Sequence, residues 1–588
     1  MIEQQAAPVA ADDEPAIAAD APARLPTGWL FAASAVVAVV RWWSSHRREM
    51  FHITPDEPGQ LAIARFVGGM ARWNMFDRST WRPGYGTLIA PLHWLTDDPV
   101  VAFQLALGVN ALLGGAACVL LCLLARRLTT LTGRGCVVAG TLVALAPAVV
   151  FATNWTWSEA LVVVTYLGAL LAALRFWDVP SIGRGVALAL LAAAGFAAHS
   201  RLLPVAALVV VLVGVVVAQH RLRLLDGAAV IAVGALAMLA VARYSAWLVE
   251  RIWETPTTTN SAEGVAGRLS APGPIALSLA GQVWYQLVAT AGLAGLGTIA
   301  LVSAVRRRGR GTAGPPARGV ARIVLVVSSA LIALAVVFMS DRLRPDQIVY
   351  GRYNDAVVGP LVVVGVAALV TASRRFLAWS MAAVLVVLIA TTVLVETWRA
   401  EALAEAGVVR AMVLGLAAFT GSDDIDVVAV ARWAVIVVVV VTVVAIAARS
   451  IGRRWSFVAV LVPLLVVGFV RTSHVVEGAM NSWALPAGSV DRLRQALPSG
   501  EAVRFRVVPN RDDPAASWGD QRLRTMVYQF YLPTNAMTEE TPDAAVSAGW
   551  VFGPVGDPDL ADAGGEVRWR DPRYRIGLWL VPAGPPAG

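Results

Sequence analysis

The chain has 588 residues, 57% of them hydrophobic and 15% charged, with a mean hydropathy of +0.65. Its apolar residues come in long blocks rather than in alternation, which excludes a soluble globular protein and identifies an integral membrane protein. The formal charge of +8 rests on 48 basic residues, all Arg, and these cluster in short loops between apolar runs, where the positive-inside rule accounts for them without a nucleic-acid partner.

The absence of Lys, with the excess of Ala, Val, Gly and Arg, points to a GC-rich genome such as an actinobacterium's. Cys118, Cys122 and Cys136 lie in or beside apolar segments with no His- or Cys-rich surroundings, so neither a disulfide framework nor a zinc site is expected.

In chain order, residues 1–26 read as a disordered, acidic cytoplasmic tail that lacks the basic start of a secretory signal. With about 20 residues needed per span, hydropathy predicts about thirteen transmembrane helices. These are 27–43, 99–124, 136–153, 159–177, 185–199, 202–218, 227–248, 278–303, 320–339, 355–373, 376–396, 427–448 and 455–473. Basic loops follow every even-numbered span: Arg126, Arg127 and Arg134; Arg184; Arg221 and Arg223; Arg306 to Arg308 with Arg310 and Arg318; Arg374 and Arg375; Arg449, Arg453 and Arg454. They assign that side to the cytoplasm. Arg41, Arg47 and Arg48, after the first span, stand against six concordant loops. The expectation is a multi-pass bacterial plasma-membrane protein with its N-terminus cytoplasmic and its C-terminus outside.

Two long segments fall outside on this topology. The loop 44–98 holds "ITPDEPGQLAIARF", with apolar residues at 61, 63, 66, 67 and 70 that predict a short amphipathic helix in the membrane interface. Pro83-Gly84 marks a turn before a second short apolar stretch. Residues 474–588 read as a small soluble α/β domain: Ser489 as the N-cap of a helix "SVDRLRQAL", a strand "EAVRFRVV", a Tyr-rich "LRTMVYQFYLP" and a closing strand "YRIGLWLVP".

Ionisable residues near span ends gather on this outer side. Asp56, Glu57, Asp77, Arg78 and Arg82 lie in the first loop, Glu159 in "NWTWSEA", and His199 and Arg201 in "AHSRLLP". The run "DRLRPDQIVYGRYND" adds Arg342, Arg344, Asp346, Tyr350, Arg352, Tyr353 and Asp355. Transporters instead hold charge near the bilayer midplane in interrupted helices. A carboxylate can act as general base towards a hydroxyl, and guanidinium pairs with phosphate while always keeping its charge. Together they read as transfer of a phosphate-linked group from a lipid carrier to an external hydroxyl.

The first loop, opening with Asp-Glu in "PDEPGQLAIARF" and continuing through "NMFDRSTWRPGYGTLIAPLHWL", resembles the GT-C glycosyltransferases. It is closest in pattern to the protein O-mannosyltransferases and the lipid A aminoarabinose transferases. Residues 28–400 match in organisation, and the motifs cover 54–95 and 341–355. The family's "HPPLGK" or "EKPP" segment stands here as "WRPGYG", without its second Pro or its Lys, and no "WWDYG"-like stretch occurs near the C-terminus.

The resemblance implies an α-helical polytopic fold whose catalytic domain, 27–473, carries an extracytoplasmic domain, 474–588. It implies inverting transfer of a monosaccharide from a polyprenyl-phosphate donor to a glycan, glycolipid or protein hydroxyl, with a divalent cation, Mg or Mn, optional. Asp56, or its neighbour Glu57, would be the catalytic base. Arg342, Arg344, Tyr350, Arg352 and Arg201 would bind the donor phosphate, while Asp77, Arg82, Glu159 and Tyr353 would contact acceptor or serve structure.

Each signal has a plainer reading. The acidic pair could cap a helix, Asp77 and Arg82 could form an ion pair, Glu159 could be a cap, and the Arg and Tyr residues could anchor headgroups. A transporter, a lipid-linked-sugar flippase or an envelope scaffold are the alternative functions.

Overall fold

A computed structural model of the chain describes residues 24–52, 56–75, 80–253, 262–306, 318–340, 345–404, 412–420, 425–480, 484–506, 514–540 and 545–583. Among these residues seven helices are long and apolar enough to cross a membrane: Pro99–Leu128, Glu159–Asp178, Ser200–Ala218, Leu224–Ile252, Arg318–Phe338, Arg374–Trp398 and Val427–Ser450. Five shorter apolar helices, Thr27–Trp43, Gly133–Ala144, Ile182–Ala198, Gly359–Thr371 and Val458–His474, fall at other expected spans. The chain is a multi-pass helical membrane protein.

Three expected spans differ in form. The segment 278–303 is two helices, Pro272–Ala289 and Leu293–Arg306, bent by 105°. The bend follows from Ala291 and Gly292 at φ of 49° and 76°. The first helix closes there with Gly292 N–H donating to Leu287 O (2.8 Å), a left-handed stop that hydropathy cannot register. Pro147 divides 136–153 into Gly133–Ala144 and Pro147–Ala152. The segment 355–373 begins as a separate turn, Arg352–Asp355, before Gly359–Thr371.

Every residue from Gly359 to Val370 is buried, as a helix that is apolar on all sides requires when it stands at the centre of a bundle. It is crossed closely by Leu293–Arg306, because a Cβ on Gly297 or Gly365 would overlap the other helix's backbone. Pro99–Leu128, Gly133–Ala144 and Glu159–Asp178 complete this core. Leu224–Ile252 buries few residues and is the exposed, peripheral helix.

The first loop contains the expected helix, Asp56–Val67, but enclosed by protein rather than amphipathic with a wet face. Glu57 to Arg65 are all buried, since the helix is enclosed by Gly84–Ile89, Ala90–Trp94, Leu224–Ile252 and the C-terminal domain. Its polar residues are therefore internal partners rather than a wet face.

That C-terminal domain is a small five-stranded sheet with helices: β1 (Val503–Arg506), β2 (Met537–Glu540), β3 (Gly549–Pro554), β4 (Glu566–Arg570) and β5 (Ile576–Val581). The order is β2-β1-β3-β5-β4. β1 pairs in parallel with β2 and β3, whereas β5 is antiparallel to β3 and β4. The expected strands β1 and β5 are present. The "TMVYQFY" stretch lies in the helix Pro514–Tyr531. Ser489 is not an N-cap: the helix starts at Ala487 and Ser489 is buried in its first turn.

The sheet domain and the first loop share one apolar cluster, with Phe530 meeting Phe51 and Phe103 edge-on. Arg65 fixes the contact by donating to the carbonyls of Gln529 (2.5 Å), Leu532 (3.0 Å) and Asn535 (3.1 Å). Burial lowers its pKa to about 9. Arg65→Met would leave three carbonyls without a donor, at a cost of about 2–4 kcal/mol. A lowered thermal midpoint with faster proteolysis of residues 484–583 is the expected result, measured on detergent-purified protein.

Candidate active site

The site forms where four chain segments bring the first turns of their helices together. Asp56 opens the Asp56–Val67 helix, Glu159 opens Glu159–Asp178, Arg201 lies in the one-turn helix Ser200–Leu202, and Arg352 opens Arg352–Asp355. Both carboxylates thus sit at helix N-termini, where backbone N–H groups favour negative charge. Gly351 allows the Arg352 turn to enter: a Cβ there would overlap the Tyr285 ring.

Arg352 joins two carboxylates. Its Nη1 donates to Asp56 Oδ2 at 3.0 Å and its Nε to Glu159 Oε1 at 2.7 Å. The same Glu159 oxygen accepts from Arg201 Nη1 at 3.3 Å. The guanidinium of Arg352 lies 3.6 Å from the Trp157 ring centre, and that of Arg201 lies 4.6 Å from the Tyr353 ring. Burial would lower the pKa of Arg352, but Asp56 and Glu159 outweigh this and hold it well above its ordinary value. Burial likewise pushes the Tyr353 hydroxyl up, although Arg352 opposes it.

The cluster is most open at Asp56 among its ion-paired side chains. The side chain of Glu159 is 0% exposed and that of Arg352 3%, whereas Asp56 is 29% exposed. Asp56 Oδ1 also accepts from Trp81 Nε1 at 3.1 Å, so indole and guanidinium hold the carboxylate from two directions. Orphaned atoms face the same group: Glu159 Oε2 and Arg201 Nε and Nη2 are buried without a hydrogen-bond partner. Arg82 stacks on Phe196 at 4.1 Å and meets no carboxylate among the described residues. His199 lies in the joint field of Arg201, Arg352 and Arg82.

Glu57 differs sharply from its neighbour. It is 0% exposed, and Oε2 accepts from Arg48 Nη2 (2.9 Å) and His52 N–H (2.5 Å). Its Oε1 accepts from Thr156 N–H (2.5 Å) and Thr156 Oγ1 (2.9 Å). Four donors surround a carboxylate with about four lone-pair sites, which leaves Glu57 no capacity for a substrate proton. Its place among the candidate bases is therefore corrected to that of an anchor for the first loop.

Other expectations change as well. Tyr350 turns its hydroxyl to Met412 Sδ (3.0 Å) and packs on Tyr353, which is not the geometry of a phosphate ligand. Glu159 does more than cap a helix, since it pairs with two Arg. Arg342, Arg344, Asp77 and Arg78 lie outside the described residues. Arg41 and Arg48, counted against the topology, are not loop charges: Arg41 is buried against Thr153 and Ala144 O, and Arg48 pairs with Glu57.

Sequence reading passed over Trp81, Thr156, Trp157 and Arg48. The segment "NWTWSE" gave a usable signal, because two Trp and a Glu at a helix start are unusual in a solvated loop. All of its residues are buried. Among the described residues no three His, Cys, Asp or Glu side chains gather to hold a metal. The partner between Asp56 and Glu159 is a guanidinium, so these carboxylates do not make a cation cradle.

Spans, first loop and sheet domain together make a polytopic helical membrane fold that carries a small sheet domain. Among solved structures the chain is similar to ArnT from Cupriavidus metallidurans, both bound to undecaprenyl phosphate and in the apo state. Each match has a TM-score of 0.53 and 17% identity and covers 95% of this chain and 99% of that one. The arabinosyltransferase EmbB from Mycobacterium smegmatis matches at a TM-score of 0.45 and 15% identity, over 81% of this chain and 44% of that one. No protein-family model matches the sequence, and no curated protein does. At 17% identity the likeness to ArnT shows the fold alone.

Removing one partner of a buried ion pair costs about 3–5 kcal/mol. Glu57→Gln, which leaves Arg48 without a carboxylate, is expected to lower the unfolding midpoint clearly, and Asp56→Asn, which leaves Arg352 its pairing with Glu159, to lower it less. Thermal unfolding of both variants in one detergent tests the contrast; equal midpoints would refute it.

Proposed function

We propose that the chain is a membrane glycosyltransferase that takes a monosaccharide from a polyprenyl-phosphate donor and places it on an acceptor hydroxyl, with inversion and with Asp56 as general base. The observation that carries this reading is the partly open Asp56 carboxylate, held by Arg352 and Trp81, with two unpartnered donors of Arg201 in the same cluster and Arg82, which meets no carboxylate among the described residues, near it. The fold shared with ArnT, a protein seen with undecaprenyl phosphate, supports the choice of donor.

The reaction balances with these residues alone. The acceptor oxygen attacks the anomeric carbon as its proton passes to Asp56. The bond from that carbon to the phosphate oxygen breaks on the opposite face, and its electron pair leaves with the polyprenyl phosphate. Positioning and neutralisation of the departing charge are the protein's main tasks. Arg201, with two unpartnered donors, and Arg82 are the described groups suited to that phosphate, and Arg342 and Arg344 are proposed to join them. Arg352 is committed to two carboxylates and acts by holding Asp56 in place.

The prenyl chain needs an apolar site. A cavity of about 450 Å³ lies along the bent helix pair, lined by Gln282, Gln286, Leu287, Ile299 and Ser328 among others. Asn354 Nδ2 donates to Gln282 Oε1 at 2.8 Å, tying that wall to the turn that carries Arg352. The basic loops support a reacting end outside the cytoplasm, and the internal pairing of Arg41 and Arg48 makes two of the three opposing charges weaker evidence against that orientation. The C-terminal domain, packed on the first loop, is proposed to help select the acceptor.

Purified protein in nanodiscs, offered a panel of polyprenyl-phosphate pentoses and hexoses with glycan acceptors, is expected to release free polyprenyl phosphate with one of them. Asp56→Asn lowers kcat about 10²–10⁴-fold with donor binding retained, and Arg82→Gln weakens donor binding. Full turnover by Asp56→Asn would end the base assignment. An inert panel combined with substrate movement across liposomes would favour a transporter.

A further inference from the structure

The helix Glu159–Asp178 has 20 residues. At 1.5 Å per residue it is about 30 Å long, the thickness of a bilayer's hydrocarbon layer. Glu159 belongs to the site just described, so Asp178 marks the opposite membrane surface. A second concavity lies there, of about 310 Å³, lined by Arg126, Arg127, Arg175, Arg184 and Asp178.

Four guanidinium groups face one carboxylate in this pocket. Asp178 pairs with Arg127. Arg184 serves the fold by donating to the Val179 carbonyl (2.8 Å), and Arg221 does likewise to those of Trp177 (2.6 Å) and Asp178 (3.0 Å). These contacts cap a helix C-terminus, the ordinary task of Arg at that position. Arg126 and Arg175 do nothing of the kind. Each occupies the last turn of its own helix and, among the described residues, meets no carboxylate. Arg127 Nε is buried without a hydrogen-bond partner.

Leu123, Leu171 and Val179 form the remaining wall. The two Leu stand about one turn nearer the membrane centre than the Arg on their own helices, so the pocket joins a cationic mouth to an apolar wall. We propose that it binds the phosphate headgroup of an anionic membrane lipid on the side of the bilayer opposite Asp56. Arg126 and Arg175 contact the phosphate, and an acyl chain lies along Leu123 and Leu171. The volume, on the order of ten waters, suits one headgroup. A soluble anion would use the guanidinium groups but leave the leucine wall without a partner.

The test uses delipidated full-length protein in detergent, titrated with phosphatidylglycerol, with phosphatidylcholine of the same chains and with glycerol 3-phosphate, followed by native mass spectrometry. One phosphatidylglycerol is expected to bind at least tenfold more tightly than phosphatidylcholine. The double substitution Arg126→Gln, Arg175→Gln weakens it by about tenfold or more. Asp178→Asn removes the competing carboxylate and tightens binding, which decides the matter even if the double variant fails to fold. Equal binding of the two lipids, no loss in the folded double variant, or no gain in Asp178→Asn would overturn the proposal. Glycerol 3-phosphate binding as tightly as phosphatidylglycerol would overturn it too, by making the occupant a soluble anion.

Discussion

The bridge from Arg352 to Asp56 and Glu159 is the contact on which the site depends. It joins residues far apart in sequence, and each stands at the beginning of its own helix. A guanidinium buried to 3% exposure must be compensated or it would destabilise the fold by several kcal/mol. Two carboxylates and the face of Trp157 supply that compensation. Lys could not replace it, because a single ammonium cannot serve two carboxylates through Nε and Nη1 while lying flat on an indole. The first loop is therefore held at a fixed distance from the ends of the spans.

Charge balance then sets what the pocket can receive. Among the described residues of the cluster, Asp56 and Glu159 offset two guanidinium groups of Arg352, Arg201 and Arg82, and the third is in excess. An anion entering beside Arg82 and Arg201 would restore neutrality in a partly desolvated space, where such contacts are stronger than in water. A neutral or cationic ligand would leave the excess standing. The unpartnered Nε and Nη2 of Arg201 add direction to that preference, since a phosphate oxygen satisfies donors that protein groups leave unmet.

How much of this was legible in the sequence follows from what each signal encodes. Apolar block length is a direct consequence of bilayer thickness, so the spans could be read, while the 105° bend at Ala291 and Gly292 could not, because left-handed φ values leave hydropathy unchanged. The sense of the Asp56–Val67 helix was visible, but its enclosure by the sheet domain depends on long-range contacts such as Arg65 to Gln529, which no local pattern records. Asp56, Arg201 and Arg352 stood out as charges at span ends. Tyr350 shared their position and not their role, since the side to which a ring turns is settled by packing against Tyr353 and Met412. Arg48 was misleading for a related reason: an internal ion pair looks, in sequence, like a loop charge.

The adjacent acids Asp56 and Glu57 show how one helix start can serve two purposes. Successive residues on a helix point about 100° apart, so two neighbouring side chains cannot share one environment at the edge of a packed bundle. The longer Glu57 reaches inward to Arg48, His52 N–H and Thr156, and its four hydrogen bonds fix both the height and the rotation of the first turn. With that turn fixed, Asp56 is presented outward against Arg352 and Trp81 without needing burial of its own. A single acid in this place would have to choose between anchoring the loop and facing the cleft, because the donors that rigidify a carboxylate are the ones that use up its lone pairs. The pair separates the two demands, and the rigidity of one residue becomes the positioning of the other.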